Sequence, residues 1–174
     1  MQTAEGAERL KTAHRYLTFR LADAMYGIGI LKVQEIIGLL PITQVPRVPA
    51  YVRGVINLRG RVIPVVDLRR RFGLHVAPDT ERTCIVITQV EREQDLVTMG
   101  VIVEDVAEVV DIPTELVEDV PDFGAGITTE FLTGMGRVDD DVVLLLDIDA
   151  VLSAEEADLV GDLEETPDGQ GEER

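Results

Sequence analysis

Residues 51 to 73 read Tyr51-Val-Arg-Gly-Val-Ile-Asn57-Leu-Arg-Gly60-Arg-Val-Ile-Pro64-Val-Val-Asp67-Leu-Arg-Arg-Arg71-Phe-Gly73. Two apolar, β-branched runs flank Asn57-Leu58-Arg59-Gly60, the pattern of two strands joined by a tight turn. Pro64 lies inside the second run and cannot donate to a ladder, which predicts an edge strand or a bulge there. Arg59 sits at the turn tip with no acid close by in the segment. A charge held on a rigid turn is a good recognition group.

Similar strands are predicted on both sides of this hairpin. Tyr16 to Leu21 alternates, with Leu17, Phe19 and Leu21 on one face and Thr18 and Arg20 on the other, the pattern of a half-buried strand with Thr18 toward solvent. Met25 to Ile30 and Val33 to Leu40 continue the β pattern, and Pro41, Pro46 and Pro49 mark a loop. Cys84 to Val90, Val97 to Glu104 and Val106 to Ile112 form a second set, with Glu91 to Asp95 as a charged hairpin loop. Phe131 to Gly136 and Val142 to Ile148 make a last pair joined by Asp139-Asp140-Asp141. Ser153 with Glu156 is a capping box for a short C-terminal helix. About ten short strands at regular spacing indicate two small barrels or a sandwich. The halves share strand rhythm and no strong sequence repeat.

Composition narrows the functional classes. The 174 residues are 45% hydrophobic, 4% aromatic and free of tryptophan, so a core of Val, Ile and Leu is expected, which favours strands. No run of 18 apolar residues predicts a membrane helix, and the polar start predicts no signal peptide. A single cysteine, Cys84, excludes an internal disulfide and a cysteine cage, and an apolar strand predicts an inert thiol. A cytoplasmic location is expected. The net charge is −17, yet residues 1–75 hold 12 Lys/Arg against 5 Asp/Glu while the remainder hold 4 against 28. That total disfavours nucleic acid. Two lysines against 14 arginines fit either a salt-rich cell or a high-GC genome.

No catalytic constellation is legible. His14 and His75 are the only histidines and no third metal ligand accompanies them. The Gly-x-Gly pairs at Gly124 and Gly134 open no helix after a strand and read as turn glycines rather than phosphate loops. Asp139 to Asp141 lacks the bidentate Glu of a calcium loop and reads as a solvated hairpin tip. Asp147 and Asp149 alternate with Ile148 and are expected to face out of a sheet, with no partner for carboxylate chemistry. Arg69, Arg70 and Arg71, with Arg59 and Arg61, form a basic cluster. It suits phosphate, an acidic protein surface, or neutralisation of the acidic half, and no aromatic platform interleaves it.

The motifs together resemble the CheW family of chemotaxis coupling proteins. The matching residues are Tyr26 to Ile36, Gly54-Val55-x-Asn57-Leu58-Arg59-Gly60, Val62 to Arg69, Gly100-Val101-x-Val103 with Val106, and Glu130-x-Leu132-Thr133-Gly134-x-Gly136. The cover runs from about Tyr16 to Val160. The resemblance implies an all-β fold of two five-stranded SH3-like barrels packed together, with a short C-terminal helix. It implies a domain over 14–160 after a flexible segment 1–13, while the tail 161–174 departs from the family and its acidic, Gly-rich composition predicts disorder. It implies no enzyme and no cofactor, but an adaptor between the cytoplasmic tips of methyl-accepting receptors and the histidine kinase CheA, recruited to receptor arrays at the inner face of the membrane without inserting into it.

Carried over residue by residue, Val33, Glu35, Asn57, Leu58 and Arg59 fall in the receptor-binding region, and Ile42, Thr43 and Leu159 at kinase-binding positions. Glu35 and Arg59 match a functionally sensitive charged pair. As a brace they would hold one another; as recognition groups they would touch the partner; the two roles are compatible. Two other classes stand beside the adaptor. One is a CheW-like regulatory module of a chemosensory kinase, for which 174 residues leave no room for phosphotransfer and ATP-binding domains. The other is a metal-dependent enzyme using the acidic second half.

Overall fold

Most strands carry apolar residues on both faces, and each face finds its own core. The computed structural model describes residues 14–92, 95–121 and 129–152. Ten strands follow one another: β1 (Arg15–Leu21), β2 (Ala24–Gly29), β3 (Val33–Gly38), β4 (Val52–Leu58), β5 (Arg61–Asp67), β6 (Cys84–Arg92), β7 (Asp95–Val103), β8 (Asp105–Asp111), β9 (Leu132–Val138) and β10 (Asp141–Leu146). One-turn helices α1 (Leu68–Arg71) and α2 (Ile148–Val151) follow β5 and β10. The strands form two sheets of five, β8-β1-β2-β10-β9 and β3-β6-β7-β5-β4, here barrel 1 and barrel 2. The expected all-β architecture of two five-stranded barrels is present.

Each sheet curls until the chain leaving one edge strand bonds the other. Beyond β3, Thr43 exchanges two backbone hydrogen bonds of 2.9 Å with Val55 of β4; beyond β8, Glu118 exchanges two of 2.8 Å with Met135 of β9. Barrel 2 is one continuous segment. It is inserted between the β1–β2 hairpin and strands β8 to β10, which together make barrel 1. The barrels are circular permutants of one topology, hairpin first in one and last in the other, and each has a single parallel pairing, β2 with β10 and β5 with β7. The similarity between sequence halves therefore corresponds to no division into sequential barrels.

The period of two along each strand divides the side chains. In β6, Ile85 and Ile87 join Ile56, Ile63, Val65 and Ile102 inside barrel 2. Val86 and Val90 point the other way, into a larger cluster with Leu17, Phe19, Ile28 and Val101 that draws on both barrels and forms their junction. Ile112, Val143 and Leu145 fill barrel 1. Phe19, Tyr26, Phe72 and Phe131 run through the junction with successive ring centres 5.7 to 6.3 Å apart.

Four local expectations need correction. First, β5 is an interior strand between β4 and β7 rather than an edge, and the irregularity lies next to Pro64, on β4, where the register shifts between Val52 and Gly54. Pro64 is tolerated because its β4 partner, Val55, directs both backbone groups to Thr43, and the ladder to β7 starts only at Val65. Second, the strands β6 and β7 extend through the charged segment, with Arg92 opposite Asp95, so the hairpin is tighter than Glu91 to Asp95. Third, Asp147 and Asp149 do not alternate on a strand. The β10 strand ends at Leu146, and Asp147 caps α2 by accepting from the amides of Asp149 and Ala150. Fourth, Thr18 is buried rather than facing solvent, its hydroxyl bonded to the backbone of Glu108. The capping box on Ser153 and Glu156 lies outside the described residues.

Candidate functional site

The β4–β5 hairpin has two residues in its turn, Arg59 and Gly60, because Leu58 pairs with Arg61. Both have positive φ, 54° and 86°, as a type I′ turn requires. Asn57 fixes it by accepting a 2.9 Å hydrogen bond from the Gly60 amide. The turn thus holds the Arg59 backbone outward.

Glu35 receives it. Arg59 Nη1 and Nη2 donate to Glu35 Oε2 and Oε1 at 2.7 and 2.9 Å, a bidentate pair. The acid that the hairpin segment lacks comes from β3, 24 residues away. Arg59 remains 67% exposed and Glu35 29%. The two hydrogen bonds hold the Glu35 carboxyl below its ordinary value and raise the Arg59 guanidinium further. The brace is therefore real, and its groups face solvent.

The pair lies across the seam of barrel 2. Strands β3 and β4 are its two edges and share no ladder. Backbone closes the seam at Thr43 and Val55, and side chains close it at Glu35 and Arg59. At the Glu35–Arg59 end is a shallow groove of about 80 Å³ whose walls include Glu35, Leu58, Arg59, Arg61, Ile63 and Ile87. Its floor is aliphatic and its rim charged. Arg61 Nη2 donates to Thr98 Oγ1 at 3.3 Å, which holds that guanidinium along the rim.

The structure thus brings together Glu35, Leu58 and Arg59, with Asn57 as the residue that sets the turn. Val33 lies on the same strand, but a register shift separates it from Glu35, and it packs against the junction core. Ile42 and Thr43 lie at the other end of the seam: Ile42 half-buried against the barrel 2 core, Thr43 exposed and bonded to β4. Leu159 lies outside the described residues.

The basic cluster divides into three environments. Arg69 is completely buried and donates to both oxygens of the equally buried Asp67, at 3.1 Å to Oδ1 and 3.0 Å to Oδ2, with Glu104 at 3.4 Å. Asp67 also caps α1 through the Arg69 amide. Arg71 covers the rings of Tyr51 and Phe131 at 5.0 and 4.7 Å and donates to the Val151 carbonyl. Arg70 stays 45% exposed at its side chain. For Arg69, neutralisation is the outcome, by Asp67 beside it and by Asp79 and Glu104 from the acidic part of the chain. An apolar run ending in Asp before a basic turn is a helix-cap signal, and it pointed at Asp67. Nothing local pointed at Lys32, which bonds Asp149 at 2.7 Å and so ties the start of β3 to α2.

Among the described residues no group of His, Cys, Asp and Glu is placed to hold a metal ion. His14 faces Thr114, with 3.1 Å between Nδ1 and Oγ1. Burial, and then the charge of Asp105, push the half-buried Cys84 thiol up, which disfavours the reactive thiolate. No helix among the described residues is long and apolar enough to cross a membrane.

Comparison with known proteins agrees with this geometry. The CheW-like domain matches residues 15–156. The chain is 35% identical over 145 residues to chemotaxis protein CheW of Klebsiella aerogenes, covering 83% of this chain and 85% of that one. It is 33% identical over 133 residues to chemotaxis protein CheV3 of Helicobacter pylori, covering 75% of this chain and 42% of that protein. The crystal structure of the scaffolding protein TtCheW from Thermoanaerobacter tengcongensis superposes with a TM-score of 0.72 at 30% identity, over 83% of this chain and 90% of that one. With its two barrels, its seam and its matching sequence, the chain belongs to the CheW-like family of chemotaxis adaptor proteins.

Proposed function

We propose that this protein is a non-catalytic adaptor that couples the cytoplasmic tips of methyl-accepting receptors to the histidine kinase CheA at receptor arrays. The observation that carries the reading is the exposed, bidentate Glu35–Arg59 pair above the aliphatic floor of the seam. A receptor tip is a helical hairpin. A helix docks an apolar stripe into such a groove, and a charged rim fixes its register. Arg59 has further donors to offer a helix carboxylate, and Glu35 keeps the guanidinium aimed. Leu58 supplies apolar contact and Asn57 the turn, while Val33, packed against the junction core beside the groove, anchors the start of the strand that carries Glu35. Ile42 and Thr43, at the far end of the seam, and Leu159 are the proposed kinase contacts, which leaves the two partners separate footprints.

Arg59→Glu tests this. It places two acids face to face at an exposed site, so the fold is expected to survive while receptor coupling is lost. Kinase activation in a reconstituted receptor array, measured beside thermal melting, decides it; a folded variant with normal activation would refute the assignment. A second reading, a CheW-like module working within a longer signalling chain, is supported by the match to less than half of CheV3. Sedimentation of the native protein from its own cells separates the two.

A further inference from the structure

The barrel junction holds an apolar pocket of about 200 Å³, separate from the seam groove. Strand register builds its floor. Tyr26 of β2 lies beside Leu144 of β10, and Leu144 beside Met135 of β9, so three neighbours across barrel 1 present one surface. Phe72, which ends α1, and Phe131, which precedes β9, add aromatic walls. Three of the four rings that run through the junction therefore line one cavity.

Tyr26 is the anomaly in it. The residue is only 9% exposed, yet its hydroxyl has no hydrogen-bond partner among the described residues. Burial is what pushes its phenol pKa up, and no hydrogen bond opposes or adds to that. A buried tyrosine hydroxyl usually finds a partner, because leaving it unmade costs its full desolvation. The described residues around it are Phe, Leu, Val and Met, so the wall offers one hydroxyl and no charge. The backbone beneath is paired in the β1–β2, β2–β10 and β10–β9 ladders. Water suits such a site poorly, since a buried water needs about two to four polar partners.

From the unpartnered hydroxyl and the ring-lined wall, we infer that this pocket binds a small neutral aromatic molecule carrying one hydrogen-bonding oxygen, which Tyr26 holds. Size agrees: a dry cavity of about 150 Å³ lined by aliphatic and aromatic side chains takes up benzene, so this one takes a benzene ring with a short polar substituent. Ring chemistry agrees, because Phe72 and Phe131 offer faces and edges for offset or tilted stacking. A charged ligand would meet no counter-charge on the wall and would lose its hydration. The walls come from both barrels, so a bound ring would stiffen their junction. Within the adaptor reading this makes the pocket a small-molecule input; the binding itself does not rest on that reading.

The test needs neither receptor nor kinase. Phenol and toluene, which differ by a hydroxyl against a methyl, are titrated separately into the full chain at neutral pH and followed by methyl NMR. Saturable shifts are expected at Met135, Leu132 and Leu144 with both probes. Tyr26→Phe removes one oxygen and keeps the ring. It should weaken phenol about fivefold, the worth of one net hydrogen bond, and leave toluene unchanged, which also shows that the pocket is intact. Absence of saturable shifts at Met135, shifts spread over the surface, equal phenol affinity in both proteins, or equal loss of both probes would overturn the inference.

Discussion

The two barrels are one backbone plan written twice, and the contrast between them lies in the charges their turns carry. Gly54 of β4 corresponds to Gly134 of β9, since each precedes the residue that makes the closing bridge, Val55 or Met135. Asp67, the last residue of β5, and Asp147, the first after β10, each cap a one-turn helix. Both hairpins have two-residue turns whose first residue has positive φ, 54° at Arg59 and 56° at Asp139, but only barrel 2 has positive φ at the second, 86° at Gly60. What differs is charge. Barrel 2 carries Arg59 and Arg61 on its turn and Glu35 across the seam. Barrel 1 carries Asp139 and Asp141, with Glu108 lining the matching groove. Opposite charges meet at both seams, Glu35 with Arg59 in barrel 2 and Glu118 with Arg137 at 3.3 Å in barrel 1, so the contrast is in the sign of the charge on the turn. Closure of the backbone needs neither arrangement, so the turn side chains were free to diverge.

The largest difference expected between the barrels lies at the two capping aspartates. Asp67→Ala leaves the buried Arg69 guanidinium without its partner, at a cost of about 3–5 kcal/mol. Asp147→Ala removes a half-buried cap and is expected to cost about 1 kcal/mol. Denaturant midpoints of the two variants test the ranking; equal losses would mean that Arg69 finds other partners.

The closing glycines should differ next. A Cβ on Gly54 would stand 2.0 Å from the Thr43 carbonyl oxygen, at φ 141°, so neither the contact nor the backbone can relax cheaply. On Gly134 it would meet the Val117 side chain at 2.4 Å, which a rotamer change can relieve in part. Gly54→Ala is expected to cost at least about 3 kcal/mol and Gly134→Ala about 1–3 kcal/mol. Thermal melting reads the gap, and its reversal would show that barrel 1 is the more rigid closure.

The smallest effect concerns the exposed brace. Arg59 lowers the Glu35 pKa below its ordinary 4.5, so the pair contributes at pH above that value and its contribution is lost as pH falls through the lowered pKa. An NMR titration of the Glu35 carboxyl should show a midpoint below 4.5 that moves up in Arg59→Gln. An unchanged midpoint would mean the pair does not persist in solution.

Strands and turns were legible because their rules are local. Alternation marked β1, apolar runs marked β6 and β7, and Asn57 with Gly60 marked the β4–β5 hairpin. The groove residues Glu35, Leu58 and Arg59 were legible through family resemblance, and their contact was left open. Pro64 misled because a strand pattern does not reveal which backbone groups the neighbouring strands will use. Asp147 misled because Asp-x-Asp reads as strand alternation or as a helix cap, and only the end of the β10 ladder separates the two.

The sequence by itself determined a β-rich chain of about ten strands, its turn chemistry, its uneven charge and its family pattern, all of which act between residues close along the chain. The tertiary structure alone decided that barrel 2 is nested inside barrel 1, that Arg59 meets Glu35, and that Lys32 meets Asp149. Those outcomes depend on the parallel pairings β2–β10 and β5–β7. Parallel neighbours are joined by long crossovers, and the residues that pair leave no short-range signal of their partners.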